Sequence, residues 1–224
     1  MTVRARKSTI KRLVFAVIAF VLVGCLAYGG WNLWRWYHTT HNPHPTVTTK
    51  TITYSTSTPD ETKPTAACAS YEVAADHPKR IQIPRLGVDG CIVQVGIDQN
   101  GAIAVPNNIY TAAWYVKSTL PGQPGLSIID GHISGYYNQD AIFQHLDRLR
   151  AGDTLSVTLG SGRVLRYQVT KEQSVPLADA VSVLLAKEPT IASQLNLITC
   201  GGQYNKQTKL YDHRIIVSAK LLDI

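Results

Sequence analysis

Three hydrophobicity patterns follow one another along the chain. Residues 13–34 form an unbroken apolar run with no charge and one strongly polar side chain, Asn32. About 20 apolar residues in a helix cross a bilayer core. Trp31, Trp34, Trp36 and Tyr37 gather at the far end, as in an interfacial aromatic belt. The pattern predicts a transmembrane anchor over 13–37. The run exceeds the apolar core of a cleaved secretory signal. Leu22, Val23, Gly24 and Cys25 also resemble a lipoprotein cleavage box, which would acylate Cys25 and remove the helix before it. Residues 38–79 then turn to Thr, Ser and Pro, with too few apolar side chains to offset the entropy of ordering, and read as a flexible tether. His38, His41 and His44 lie in it with no acid or thiol close by, so they read as solvated side chains and no metal site is expected.

From residue 80 to the end, residue 224, short apolar runs alternate with turn residues. Runs at 80–84, 91–95, 102–105, 126–130, 154–158, 164–169, 195–199 and 214–219 predict strands. Asn100-Gly101 and residues 160–162 carry hairpin signals. One helix is expected over 140–150, where Ile142, Phe143, Leu146 and Leu149 share a face and Gly152 ends it. Residues 178–193 read as a short helix and loop. Eight or so strands with little helix predict a mainly β domain, a closed barrel.

Charge fixes the orientation. The formal net charge of +7 suggests nucleic acid until its distribution is examined. Arg4, Arg6, Lys7, Lys11 and Arg12 put +5 into residues 1–12, whereas residues 80–224 hold 13 Lys/Arg against 11 Asp/Glu, a net of +2. The surplus belongs to the membrane end and no nucleic-acid partner is expected. Basic residues stay on the cytoplasmic side, so residues 1–12 are expected inside and everything beyond the anchor outside.

Three residues invite chemistry. Cys200 follows an apolar strand and precedes Gly201-Gly202, where a substrate backbone can approach a thiol nucleophile; a buried structural cysteine is the plainer alternative. His132 ends another apolar strand and offers a proton partner, or is a surface-loop histidine. Arg214 opens the last strand on one face with Ile216 and Ser218, and can supply positive charge to an oxyanion, or to solvent.

Together these residues resemble the sortase family over about residues 80–222. Leu197, Ile198, Thr199 and Cys200 resemble its nucleophile motif Thr-Leu-x-Thr-Cys, Gly131-His132 its histidine site, and residues 211–219 its arginine strand, in the same order. Residues 141–143, 149–153 and 197–202 are similar to sortases grouped as class F or E. The resemblance implies an eight-stranded sortase-type barrel and a cysteine transpeptidase without cofactor, with His132, Cys200 and Arg214 catalytic and Thr199 near the substrate carbonyl. It implies surface proteins bearing LPXTG-like sorting signals as substrates, and a cell-wall precursor or pilin amine as acceptor. Asn196 stands where the motif has Thr, which leaves the hydrogen bonding there open, and the acidic calcium cluster of one sortase class has no counterpart.

With Cys200 needed free and Cys25 in the apolar run, Cys68 and Cys91 remain as extracellular partners for a disulfide; two unpaired thiols, with Cys91 filling core volume, are the alternative. Two other functions compete. A dead barrel that only captures sorting peptides fits poorly with an intact His, Cys and Arg. An L,D-transpeptidase would carry Ser/Thr-His-Gly-Cys, and a papain-like peptidase places Cys before His; neither pattern occurs here.

Overall fold

The computed structural model describes residues 24, 25, 27–33, 59–63, 68, 71–136 and 140–222. The chain divides into two units, Met1–Thr48 and Thr49–Ile224. In the first, residues 24, 25 and 27–33 are helical. The rest of the expected anchor over 13–37, and the histidines of the tether, lie outside the described residues. No helix among the described residues is long and apolar enough to cross a membrane. The described residues therefore lend the expected transmembrane helix no support.

The second unit is a closed barrel. Its strands are β1 (Pro78–Ile83), β2 (Val88–Val95), β3 (Ala112–Tyr115), β4 (Gly125–Gly131), β5 (Thr154–Leu159), β6 (Val164–Pro176), β7 (Ser193–Asn205) and β8 (Leu210–Leu221). The order around the barrel is β1-β2-β3-β4-β7-β8-β6-β5. β2–β3 and β4–β7 run parallel, and the other pairs antiparallel. Alternation along each strand sends one set of side chains inward. Ile81, Ile129, Leu155, Tyr167, Leu195, Leu197, Ile215 and Val217 belong to the interior core.

The strand between β2 and β4 differs from expectation. The run at 102–105 makes only a single bridge, Ile97 to Ile103, around the Gly101 turn. The ladder is instead completed by β3, whose Ala112-Ala113-Trp114 hides a strand behind low β-propensity alanines. Both alanines are fully buried, because β3 sits between two strands and is covered on both faces.

Residues 140–150 also depart from the expected helix. Ile142 N–H donates to Ile109 O at 2.9 Å and Phe143 N–H to His132 O at 3.0 Å, so these amides face other segments instead of starting an α-helical ladder. The following bonds are i→i−3, from Gln144 to Ala141, Leu146 to Phe143 and Leu149 to Leu146, with a 3-10 helix at Leu146–Arg148. A period of three carries Phe143, Leu146 and Leu149 into the core as well as 3.6 would.

A second apolar cluster lies outside the barrel wall. Leu126 and Ile128 of β4, Val175, Ile216 of β8, and Ala180 and Leu184 of a short α-helix (Ala180–Leu184) pack together there. That helix follows a 3-10 turn at Leu177–Asp179, in the stretch read as a short helix and loop. It is tied to β7 by two buried amides. Asn196 Nδ2 donates to Leu184 O at 2.7 Å, and Gln194 bonds Ala186 O, Glu188 N–H and Asn196 Oδ1. Asn196 thus satisfies a helix-end carbonyl, which settles its hydrogen bonding.

Residues read as tether also acquire defined contacts. Cys68 and Cys91 are joined by a disulfide with Cα atoms 5.2 Å apart. Gly160 and Ser161 N–H donate to His77 O and Ala75 O. Residues 59–63 lie against the loop before β3.

Candidate active site

Register brings the three candidate residues together. In the parallel β4–β7 pair the last partners are Asp130 and Ile198, so two residues further His132 and Cys200 occupy corresponding positions. In the antiparallel β7–β8 pair Cys200 faces Arg214 directly. Alternation then sets the face: Ile128, Asp130 and His132 follow one parity on the β4 chain, Asn196, Ile198 and Cys200 on β7, and Arg214 and Ile216 on β8. Ile128 and Ile216 belong to the outer cluster, so the shared face is the outside of the barrel, at the edge of that cluster.

Each residue is held differently. Arg214 Nη1 donates to Tyr211 O at 3.2 Å and His213 O at 2.8 Å, which aims the guanidinium while Nε and Nη2 make no bond among the described residues. Adjoining His213 bonds Asp212. His132 Nε2 lies 2.7 Å from Pro106 O. A carbonyl only accepts, so Nε2 carries the hydrogen and Nδ1 is the nitrogen available to exchange a proton. Gly131, just before it, is a close approach: a Cβ there would meet Phe143 Cδ2 at 2.5 Å and Ile142 Cγ2 at 2.9 Å.

Thr199 does not line this face. It is 1% exposed, shares the inward parity of Leu195 and Leu197, and its Oγ1 donates to Gly131 O at 2.7 Å. The expected contact with a substrate carbonyl does not fit that placement. Thr199 instead ties the residue before Cys200 to the residue before His132.

Electrostatics define the resting protonation. Burial pushes the Cys200 thiol above its usual range; Arg214 pulls it back and Asp130 pushes it further up. Burial pushes His132 below the ordinary imidazole value, offset in part by the Pro106 bond. The resting pair is therefore thiol and neutral imidazole. Asp130 is a neighbour that motif reading passed over. Burial raises it to about 7, against the pull of the Gly131 N–H, 2.6 Å away, and of Arg214. Its signal in the sequence was a carboxylate in register with Leu126, Ile128 and His132 along an otherwise apolar strand.

A cleft between the β1–β2 turn and residues 140–145, lined by Cys91, Tyr110 and Ile142, contains none of these residues.

The sortase domain model matches residues 81–222, well over half of the chain. The chain belongs to the sortase family. Sortases are cysteine transpeptidases, and the half-buried thiol beside an arginine suits that class. Among solved structures, a lid mutant of sortase A from Corynebacterium diphtheriae is 24% identical, with TM-score 0.50, covering 66% of this chain and 70% of the other. Sortase C-1 from Actinomyces oris is 24% identical, with TM-score 0.49, over 65% of this chain and 72% of the other. The first of these likenesses speaks to the fold. No curated protein matches this sortase.

Proposed function

We propose that this sortase cleaves a C-terminal sorting signal of the LPXTG-like type and joins the surface protein to an amine. The observation that carries the reading is the register that sets Cys200 directly opposite Arg214 and level with His132. Cys200 gives its proton to Nδ1 of His132, and its sulfur attacks the carbonyl carbon of the threonine in the signal. The carbonyl oxygen becomes an oxyanion beside Arg214, whose guanidinium offsets the developing charge. As the C–N bond breaks, His132 gives its Nδ1 proton to the departing amine. A thioacyl-enzyme remains. An acceptor amine, from a cell-wall precursor or a pilin lysine, then attacks the thioester. It loses a proton to His132, the C–S bond breaks to release the new amide, and His132 returns the proton to the Cys200 sulfur.

In this reading residues 13–37 anchor the enzyme in the cell membrane with residues 1–12 in the cytoplasm, and residues 38 onward work outside. The apolar run, its basic flank and the disulfide support that placement. The motif spacing supports a place near classes F and E.

The test is capture of the intermediate. Incubation with a library of sorting peptides, followed by mass spectrometry of the Cys200 peptide, should give an adduct ending in threonine. Addition of an amine should discharge it. Full cleavage activity in Cys200→Ala sinks the assignment.

A further inference from the structure

We propose that Asp60, Glu61 and Thr62, upstream of the barrel, position His132 for proton transfer, with Asn108 as their link to it. The proposal rests on His132 being the acid of the reaction. The sequence places residues 59–63 in a tether, far from any active-site motif. The structure lays them as a strap across the loop that holds the histidine. Asp60 N–H donates to Asn107 O at 2.7 Å, and Ile109 N–H donates to Asp60 O at 3.0 Å. The Asp60 carboxylate accepts Thr62 N–H at 2.8 Å and Asn108 Nδ2 at 3.2 Å, and Asn108 Nδ2 also donates to Thr62 O at 2.8 Å. One residue before Asn107 is Pro106, whose carbonyl receives His132 Nε2.

The strap grips the other side as well. Glu61 Oε1 accepts the N–H of Tyr136, four residues beyond His132. Gly135 makes room for it, since a Cβ there would collide with the same carboxylate. The strap therefore bridges two loops, one that receives the imidazole and one that continues from it.

Neither loop has a strand ladder of its own. Residues 104–107 lie between the single bridge at Ile103 and the start of β3, and residues 132–136 lie beyond β4. Such backbone is held by individual cross-links, here the strap's bonds together with the Ala104 N–H bond to Gly96 O, the Phe143 N–H bond to His132 O and the Ser134–Asp140 bridge. The consequence is chemical. With the Pro106 carbonyl fixed, the imidazole holds its hydrogen on Nε2 and presents Nδ1 to the leaving amine. With the loop released, the two tautomers and other ring orientations compete, and small misplacements of a reacting group are costly in rate.

The experiment uses the full chain in mild detergent and compares Asp60→Ala, Gly135→Ala, Asp60→Asn and His132→Ala. Asp89→Ala serves as a control, because it loses a surface carboxylate paired with Arg80 on the barrel wall. Peptide cleavage gives kcat and KM, and ¹⁵N spectra of the imidazoles give the His132 tautomer. The expected result is about tenfold lower kcat for Asp60→Ala and Gly135→Ala, with KM within about twofold and loss of the pure Nε2–H signature. Asp60→Asn, which keeps an acceptor for Thr62 N–H, should fall between. Asp89→Ala should leave kcat and the His132 spectrum unchanged. Wild-type kcat and an intact Nε2–H signature in both Asp60→Ala and Gly135→Ala, with His132→Ala inactive, overturn the strap's role alone. Full activity in His132→Ala overturns the reading of His132 on which the proposal stands.

Discussion

Cys200 and Arg214 sit inside a ladder, whereas His132 sits just beyond the end of one. β7 and β8 pair over ten registered positions, Cys200 and Arg214 among them. A thiol and a guanidinium held this way inherit their separation from strand geometry, and any sequence that forms the two strands brings them together. His132 has no such support. Its carbonyl is taken by Phe143 N–H, its ring by Pro106 O, and the residue before it by Thr199. These partners come from three separate parts of the chain. The two halves of the site should therefore fail differently: the ladder half through loss of chemistry, the loop half through loss of placement.

The largest effect is expected on the ladder half. Cys200→Ala should fold normally and lose cleavage and transfer altogether, since the thioacyl intermediate requires the thiol. Arg214→Lys keeps the charge but cannot reproduce the guanidinium fork. Loss of an oxyanion partner costs on the order of 10²–10³ in kcat. Denaturation midpoints close to the parent protein, with turnover lost, would show chemistry removed from an intact ladder. Near-normal turnover in Arg214→Lys would make Arg214 a structural residue.

On the loop half, Gly131→Ala should lower both stability and rate. The added methyl meets the Phe143 ring, which is fully buried and cannot move aside freely. Overpacking of this kind costs about 1–3 kcal/mol, and the displaced Phe143 would carry its bond to the His132 carbonyl with it. Urea denaturation and peptide cleavage on the same preparation separate the two losses. A rate loss without a stability loss would mean the collision is relieved at His132 and not in the core.

These contrasts explain what the sequence made visible. Seven of the eight expected strands correspond to real ones, because period-two burial leaves a direct trace in Val, Ile and Leu. β3 escaped because two alanines buried on both faces show neither alternation nor branching. The 140–150 segment showed its buried face correctly and its backbone wrongly, since spacings of three serve a 3-10 chain as well as an α-helix. Cys200 and Arg214 were legible as a motif and a strand. The supports of His132 were not. A proline carbonyl, a strap at 59–63 and an inward threonine leave no pattern along the chain, because each becomes meaningful only when distant segments meet.

The disulfide offers a smaller and independent handle on the upstream segments. Cys68 and Cys91 are 23 residues apart, and a crosslink of that span contributes about 3 kcal/mol by restricting the unfolded chain. Replacing both with serine should lower the denaturation free energy by roughly that amount. Cys200 should still react with a thiol reagent, because β7 and β8 do not depend on the bridge. Free alkylation of Cys68 and Cys91 in denatured, unreduced protein would show that the bridge is absent in solution.

The smallest expected effect sharpens the comparison at its boundary, where Asp130 of β4 meets the site. The Asp130 carboxyl is raised by burial from 3.8 to about 7, so the folded protein holds its proton more tightly than the unfolded chain does. The contribution of Asp130 to stability is therefore greatest below about pH 4, falls as pH rises between about 4 and 7, and stays reduced above 7. Asp130→Asn keeps an oxygen for the Gly131 N–H and removes the ionisation. It should match the parent protein at pH 4 and melt a few degrees higher at pH 8. The same change bears on Cys200. Asp130 pushes the thiol up while Arg214 pulls it down, so removing the carboxylate leaves Arg214 less opposed. The pH midpoint for alkylation of Cys200 should move down. Because the resting pair is thiol and neutral imidazole, the thiol titrates above the imidazole, and the basic midpoint of the cleavage profile should move down with it. The acid midpoint, set by the lower-titrating imidazole, belongs to His132 and its loops. A profile in which only the basic midpoint moves is what separate control of the two halves demands. Movement of both limbs together would mean that Asp130 couples them, and that the site titrates as one unit.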